Sequence, residues 1–163
     1  MWPRGVGTVA AAVPAGHGPY RIDTGRPGDL PAIAALEAAV FPEPASLETL
    51  EHLYADPRTR LLVARLDATL CAYFAFQVEG PTAHVHANAT DPAHRRQGLA
   101  SALLDAGELL ARRSGARWFL GVVRRSNAVQ LDLLRDRGWQ ALGPCPGFFG
   151  NGEDAWVVWH LLA

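Results

Sequence analysis

The chain has 163 residues, a length typical of one domain with a core of ordinary size. Hydrophobic residues make up 49% of it and charged residues 19%, which excludes a wholly disordered chain. The formal net charge is −1, so no overall field attracts nucleic acid or an anionic membrane, and no stretch approaches the roughly 20 uninterrupted apolar residues of a membrane helix. We therefore expect neither nucleic acid nor a membrane as a partner.

The N-terminal segment is rich in Ala, Gly and Pro and shows no regular pattern. Its one arginine, short apolar run and small residues faintly resemble a secretory signal, but glycine and proline interrupt the run. We expect a flexible extension over residues 1–18 and one folded domain over residues 19–163. The two cysteines, Cys71 and Cys145, are too few for a disulfide scaffold, which favours the reducing cytoplasm.

Hydrophobic spacing and turn residues predict the elements of the first half. A strand, two helices and an antiparallel meander of three strands are expected over residues 20–23, 30–41, 47–54, 60–66, 70–78 and 83–90. Asp29 is expected to cap the first helix and Ser46 the second. Ile33, Leu36 and Val40 share one face of the first helix.

The second half predicts a helix over residues 99–114, a strand over 118–123, a helix over 127–137 and a last strand over 155–162. The first of these helices has the clearest pattern. The stripe expected to be buried consists of Leu99, Ala102, Leu103, Ala106, Leu109 and Leu110. This mixture of strands and helices is typical of the α+β class.

The segment between residue 90 and the long helix favours the binding of an anion. The start of a helix presents free backbone N–H groups and the positive end of the helix dipole. Gly98 would let a pyrophosphate approach the main chain, and Arg95 and Arg96 add positive charge. The alternative is an ordinary turn with solvated arginines, but the strand, loop and helix context favours the anion site.

Arg95, Gly98 and Ala100 resemble the acetyl-CoA signature of the GNAT superfamily of N-acetyltransferases, in which glycine follows an arginine or glutamine by three positions. The resemblance extends over residues 20–162 and includes the family's order of elements. It implies a GNAT fold, with a mixed twisted central sheet flanked by helices, and acetyl-CoA as cosubstrate. The cofactor contacts that it implies are Asn88, Ala89, Thr90 and Asn127 for the pantetheine arm, Arg96, Gln97, Gly98, Leu99, Ala100 and Ser101 for the pyrophosphate, and Arg95 for charge.

Acetyl transfer to an amine needs a proton route, because an alkylamine with a pKa near ~10 is almost fully protonated at pH 7. His84 and His86 lie two residues apart on one strand, so strand alternation points both rings to one face. The pair resembles that of serotonin (arylalkylamine) N-acetyltransferase, and His84 also matches the glutamate base of histone-acetylating GNATs. The alternatives are two half-exposed histidines without a role, or a zinc pair that lacks an obvious third ligand.

The C-terminal part resembles the RimI-type N-terminal acetyltransferases of ribosomal proteins, in Ser126-Asn127, in Gly138-Trp139 and in residues 147–155. That family carries a glutamate base where this chain has Val122 and a tyrosine acid where it has Leu134. We expect an enzyme that acetylates the primary amine of a small molecule by direct attack in a ternary complex. A RimI-like protein N-terminal acetyltransferase and a non-catalytic acyl-CoA-binding regulator are the alternatives.

Aromatic residues could line an acceptor pocket, because GNAT acceptor sites are built from the first helix–helix loop and the final hairpin. The candidates are Phe41, Tyr73, Phe148 and Phe149, with core packing as the alternative for each. The carboxylates that could meet a cationic amine are Glu43, Glu79, Glu153 and Asp154. A homodimer is compatible with the sequence, and no metal is expected.

Overall fold

The structure, a computed structural model, describes residues 19–162, so the predicted extension over residues 1–18 lies outside the described residues. Within this range there are seven strands, four α-helices and two short 3-10 turns. The strands are β1 (Arg21–Thr24), β2 (Thr59–Leu66), β3 (Thr69–Glu79), β4 (Thr82–Thr90), β5 (Trp118–Arg124), β6 (Gln140–Cys145) and β7 (Ala155–Leu161). The helices are α1 (Leu30–Val40), α2 (Leu47–Ala55), α3 (Leu99–Arg113) and α4 (Ala128–Asp136), and the turns are Pro27–Asp29 and Pro92–His94.

The seven strands form one mixed sheet in the order β1-β2-β3-β4-β5-β7-β6. β4 and β5 pair in parallel, from Thr82 opposite Trp118 to His84 opposite Leu120. The β1–β2, β2–β3, β5–β7 and β6–β7 pairs are antiparallel. A parallel pair needs a long crossover, and α3 lies in the connection between β4 and β5. The mixed sheet and the four helices confirm the α+β class.

Local sequence sets where α1 ends and where α2 begins. Phe41 is extended, with φ −103° and ψ 144°, because the residue before a proline is driven out of the helical region. The N-cap of α2 is Ser46, whose hydroxyl accepts from the Thr49 N–H at 3.1 Å. The predicted cap at Ser46 is therefore confirmed.

Asp29 is the N-cap residue of α1, as the sequence predicts. Its carboxylate makes no capping hydrogen bond to α1. Instead it accepts from the Arg26 N–H at 2.8 Å and from the Arg65 guanidinium at 2.6 Å. A 3-10 turn precedes α1 directly, so the carboxylate closes that turn and binds β2.

The predicted buried stripe of α3 is correct except at Leu109, which is 38% exposed, whereas Leu104 is 1% exposed. The reason lies at Gly107, where an added Cβ would stand 2.4 Å from the Phe74 ring. Gly107 therefore lies directly against β3, and the covered arc of the helix is centred near this residue. Leu104, one turn before it, lies under the contact, and Leu109 lies at the far edge.

The fold divides into two compact units. Among the described residues, the first contains residues 19–77 and His86–Leu110, and the second contains Val78–Val85 and residues 111–162. In the first unit α1 and α2 pack with β2 and β3 around a core of Leu30, Ile33, Leu36, Leu50, Leu61, Val63, Tyr73, Ala75 and Ala89. In the second unit, Trp139 stacks on both Phe119 and His160, at centroid distances of 5.6 and 5.4 Å.

Candidate active site

The phosphate loop, residues 91–98, begins where β4 ends and is held by main-chain and side-chain hydrogen bonds. Asp91 donates its N–H to the Cys71 carbonyl at 2.8 Å, and its carboxylate accepts from the Ala93 N–H at 2.8 Å. His94 follows, and its Nδ1 lies 2.9 Å from the Tyr20 hydroxyl. The first half of the loop is thus fixed both to β3 and to the segment that leads into β1.

The second half of the phosphate loop has the backbone shape of an anion cradle. Arg96 and Gly98 have positive φ angles, 60° and 75°, and such left-handed residues turn successive N–H groups toward one concavity. The first helical bond of α3 runs from the Ala102 N–H to the Gly98 carbonyl at 3.0 Å. The N–H groups of residues 99–101 precede that bond, so they point outward at the helix start. Arg95, Arg96 and Gln97 are exposed, and the binding of a pyrophosphate by this loop stays a prediction.

Strand β4 carries both predicted histidines. His84 is partly buried and His86 is exposed. His86 also lies within electrostatic reach of Asp56 at the end of α2. Hydrogen bonds from Arg58 lower the pKa of Asp56 to about 2, with a smaller contribution from the charge of His86. On the same strand, Asn88 and Thr90 are partly buried and Ala89 is 7% exposed.

The α1–α2 loop, residues 41–46, is anchored by a glutamate that the sequence analysis did not single out. Glu37 is 4% exposed, and its carboxylate accepts from the Ala45 N–H at 2.9 Å and from the Tyr73 hydroxyl. Phe41 packs against the core of the first unit. The sequence did contain a signal for this residue. Glu37 follows Ile33 by four residues, so it is a charged residue on the apolar face of α1.

Tyr73 is only 1% exposed. Burial first, and then the charge and hydrogen bond of Glu37, raise the pKa of this tyrosine well above its usual value. Its hydroxyl therefore stays protonated and occupied, and core packing describes the residue better than pocket lining.

The β6–β7 loop, residues 146–154, is held by Arg124 at the end of β5. The guanidinium lies 3.8 Å from the centre of the Phe149 ring and donates to Glu153 at 3.0 Å. The other carboxylate oxygen of Glu153 accepts from the Ser126 N–H at 2.8 Å. Hydrogen bonds from Ser126, followed by those from Arg124, lower the pKa of Glu153. Phe148 packs edge-on against Phe149 and is 50% exposed.

The remaining candidate carboxylates differ in surroundings. Asp154 accepts from the Gly147 N–H at 2.9 Å and lies 3.5 Å from the Arg125 guanidinium, so both it and Glu153 brace the β6–β7 loop. Glu43 and Glu79 are exposed. Among residues 19–162, no group of three His, Cys, Asp or Glu side chains could hold a metal ion.

Comparison of the sequence with models of known protein families identifies the family of this chain. The model of the acetyltransferase (GNAT) family matches residues 30–139, more than half of the chain. The chain belongs to the GNAT family. As a GNAT acetyltransferase it uses acetyl-CoA as cosubstrate and transfers the acetyl group. No match to the sequence was found among curated proteins.

Solved structures share this GNAT fold over nearly their whole length. The ribosomal-protein-S18-alanine N-acetyltransferase from Escherichia coli has a TM-score of 0.81 and 24% identity, covering 88% of this chain and 94% of that one. The Salmonella typhimurium protein yncA, with its cofactor acetyl-CoA, has a TM-score of 0.75 and 19% identity, covering 89% and 95%. Nourseothricin acetyltransferase has a TM-score of 0.75 and 23% identity, covering 89% and 99%. No helix of this GNAT protein, within residues 19–162, is long and apolar enough to cross a membrane.

The two positions that resemble the acid and base of RimI-type GNAT enzymes hold apolar side chains. Val122 is 38% exposed on β5, and Leu134 is 4% exposed on α4. Neither side chain can exchange a proton. A GNAT reaction in this chain therefore needs another group, or water, as its proton route.

Asn127, predicted to contact pantetheine, is the N-cap of α4. Its side-chain oxygen accepts from the Gln130 N–H at 3.2 Å. The oxygen is committed to the helix, so a contact with the cofactor would use the amide N–H groups. The pantetheine contact at Asn127 stays a prediction.

Proposed function

We propose that this GNAT enzyme transfers the acetyl group of acetyl-CoA to the primary amine of a small molecule, by direct attack of the amine in a ternary complex. The observation that carries the proposal is the backbone of the phosphate loop, with left-handed Arg96 and Gly98 directly before the fifteen-residue helix α3. This geometry favours a pyrophosphate, which acetyl-CoA contains.

In this proposal the cofactor binds to main-chain groups. The N–H groups of residues 96–101 hold the pyrophosphate, and the exposed Arg95 and Arg96 add charge. Main-chain groups of Asn88, Ala89 and Thr90 hold the pantetheine arm and polarise the thioester carbonyl. Positioning and polarisation are the main requirements, because the thioester is already reactive.

The proposed proton route uses His84 and His86. The exposure of His86 and the partial exposure of His84 support it, since a base must reach the amine directly or through one water. The apolar side chains at Val122 and Leu134 leave no titratable group at the positions where RimI-type enzymes have them. Proton transfer through a histidine would operate near neutral pH.

The acceptor is proposed to contact Phe41 of the α1–α2 loop and Phe148 and Phe149 of the β6–β7 loop. The exposure of Phe148 supports this role, because an aromatic ring half in solvent can stack on a ligand. A small molecule such as nourseothricin is the acceptor named for one structural neighbour. A cytoplasmic location and a homodimer belong to the same proposal.

A RimI-like protein N-terminal acetyltransferase is the second candidate, favoured by the likeness to the enzyme that acetylates the S18 alanine. The test is a screen for release of free CoA thiol over arylalkylamines, polyamines, aminoglycosides, amino acids and short peptides. Turnover with small amines and none with peptides supports the proposal. Turnover confined to peptides supports the second candidate. Binding of acetyl-CoA without release of CoA thiol in the presence of any acceptor would identify a regulator.

A further inference from the structure

A carboxylate is buried in the middle of an apolar helix. Glu37 lies in α1 and is 4% exposed, on the same face as Ile33 and Leu36, which are 1% and 6% exposed. Burying a carboxylate removes its hydration, and this is tolerated only where hydrogen bonds replace the lost water. The hydrogen-bond partners of Glu37 therefore explain how a carboxylate is tolerated at this buried position.

Those partners close one loop at both ends. The main-chain carbonyl of Glu37 accepts from the Phe41 N–H at 2.9 Å, and its carboxylate accepts from the Ala45 N–H at 2.9 Å. Between them, Pro42 and Pro44 have no N–H groups to offer. A single residue thus defines the path of the chain from Phe41 to Ala45, directly before the cap of α2.

The carboxylate of Glu37 is held in orientation by its other oxygen, Oε1. It accepts from the Tyr73 hydroxyl of β3, and Tyr73 is itself held in the core of the first unit. The raised pKa of Tyr73 keeps its hydroxyl a donor over the working range of pH. Loop, helix and strand are therefore joined at one carboxylate.

We propose that Glu37 is a positioning residue for acceptor binding: by holding Ala45 and receiving the Tyr73 hydroxyl, it fixes the α1–α2 loop and the ring of Phe41. This inference rests on the proposed function, in which Phe41 contacts the acceptor. Glu37 does not touch the reacting atoms. Its effect is to remove the freedom of the loop before the acceptor arrives.

The test compares Glu37→Met with Glu37→Gln, and Glu51→Met, which removes an exposed carboxylate from α2, is the matched control. Methionine fills a similar volume but accepts neither bond. Glutamine can accept from Ala45 and donate to the Tyr73 oxygen. We expect E37M to raise the acceptor KM about tenfold, the equivalent of one hydrogen bond, with E37Q near wild type and the acetyl-CoA KM unchanged.

A second readout does not depend on turnover. Hydrogen exchange at the Ala45 amide should be slow in the wild type, in E51M and in E37Q, and fast in E37M. If E37M fails to fold, Tyr73→Phe replaces it, because the tyrosine variant keeps the Ala45 bond but frees the carboxylate, and its acceptor KM should still rise.

The outcomes separate the two proposals. A wild type that releases no thiol with any acceptor overturns the proposed function, and with it the role of Glu37 in acceptor binding. If the wild type turns over normally, two kinetic results overturn the positioning role alone. One is an acceptor KM of E37M or Y73F equal to that of E51M. The other is an equal rise of the KM values for acceptor and acetyl-CoA. An Ala45 amide that stays protected in E37M also overturns it.

Discussion

At the scale of single residues, Gly98 permits a backbone that most residues avoid. Its φ of 75° is strained for any residue with a Cβ, and a glutamate there would also place a negative charge beside the proposed pyrophosphate. We predict that Gly98→Glu lowers the affinity for acetyl-CoA at least ~100-fold, measured by calorimetry.

The matched control is Gly80→Glu. Gly80 has a φ of 56° and open space where a Cβ would stand, so this variant suffers a comparable backbone strain in the turn between β3 and β4. It should bind acetyl-CoA normally. If G98E and G80E bound equally well, the assignment of the phosphate loop would be wrong.

The second prediction at this scale concerns the proton route through His84 and His86. If they share the proton route, either single change to alanine should lower kcat/KM modestly, and the double change should lower it by ~10²–10⁴-fold. The wild-type rate should rise with pH as the base loses its proton, and the double variant should lose this pH dependence.

Acetyl-CoA affinity should barely change in these variants, and His52→Ala, at an exposed position of α2, serves as the control. A double variant with the wild-type pH profile would eliminate the histidine route. Selection of the neutral amine by the enzyme would then be the surviving mechanism.

At the scale of elements, the β6–β7 loop depends on one guanidinium. Arg124 stacks on Phe149 and donates to both Asn151 and Glu153, and a lysine keeps the charge but lacks this planar fork. Arg124→Lys should raise the acceptor KM several-fold, as measured by steady-state kinetics. Arg113→Lys, at an exposed position of α3 away from this loop in sequence, is the control. Equal KM values in the two variants would contradict a role for the loop in acceptor binding.

The elements also show which features the sequence could predict. Helix α3 and the phosphate loop follow from an apolar stripe and a glycine after two arginines, both of which are local signals. Strand β6 was missed because Gly143 and Pro144 interrupt the strand pattern. It forms because β7 pairs with it, and as the last strand of the sheet order it tolerates a proline.

Glu37 was missed for a different reason. Its position on the apolar face of α1 was visible, but the Tyr73 hydroxyl lies 36 residues away in sequence, so only the fold reveals the partner. The same limit applies to Arg124, whose contact with Phe149 requires the return of the chain through β6 and β7.

At the scale of the whole molecule, we predict that residues 1–18 can be removed without loss of stability or of thiol release. A chain that begins at Pro19 retains Tyr20 and its bond to His94. A chain that begins at Arg21 loses that bond and should bind acetyl-CoA more weakly, because the phosphate loop loses a tether. Thermal unfolding and calorimetry measure both effects. A large fall in Tm for the chain that begins at Pro19 would refute the prediction.

The left-handed backbone at Arg96 has a consequence for the stability of the whole enzyme. An arginine with a φ of 60° carries about 1–2 kcal/mol of conformational strain, out of a total folding free energy that is only about 5–15 kcal/mol for an ordinary domain. Glycine would relieve this strain but would remove the guanidinium proposed to meet the pyrophosphate. If the proposed contact is made, the binding of acetyl-CoA adds by mass action to the stability of a native state that carries this strain.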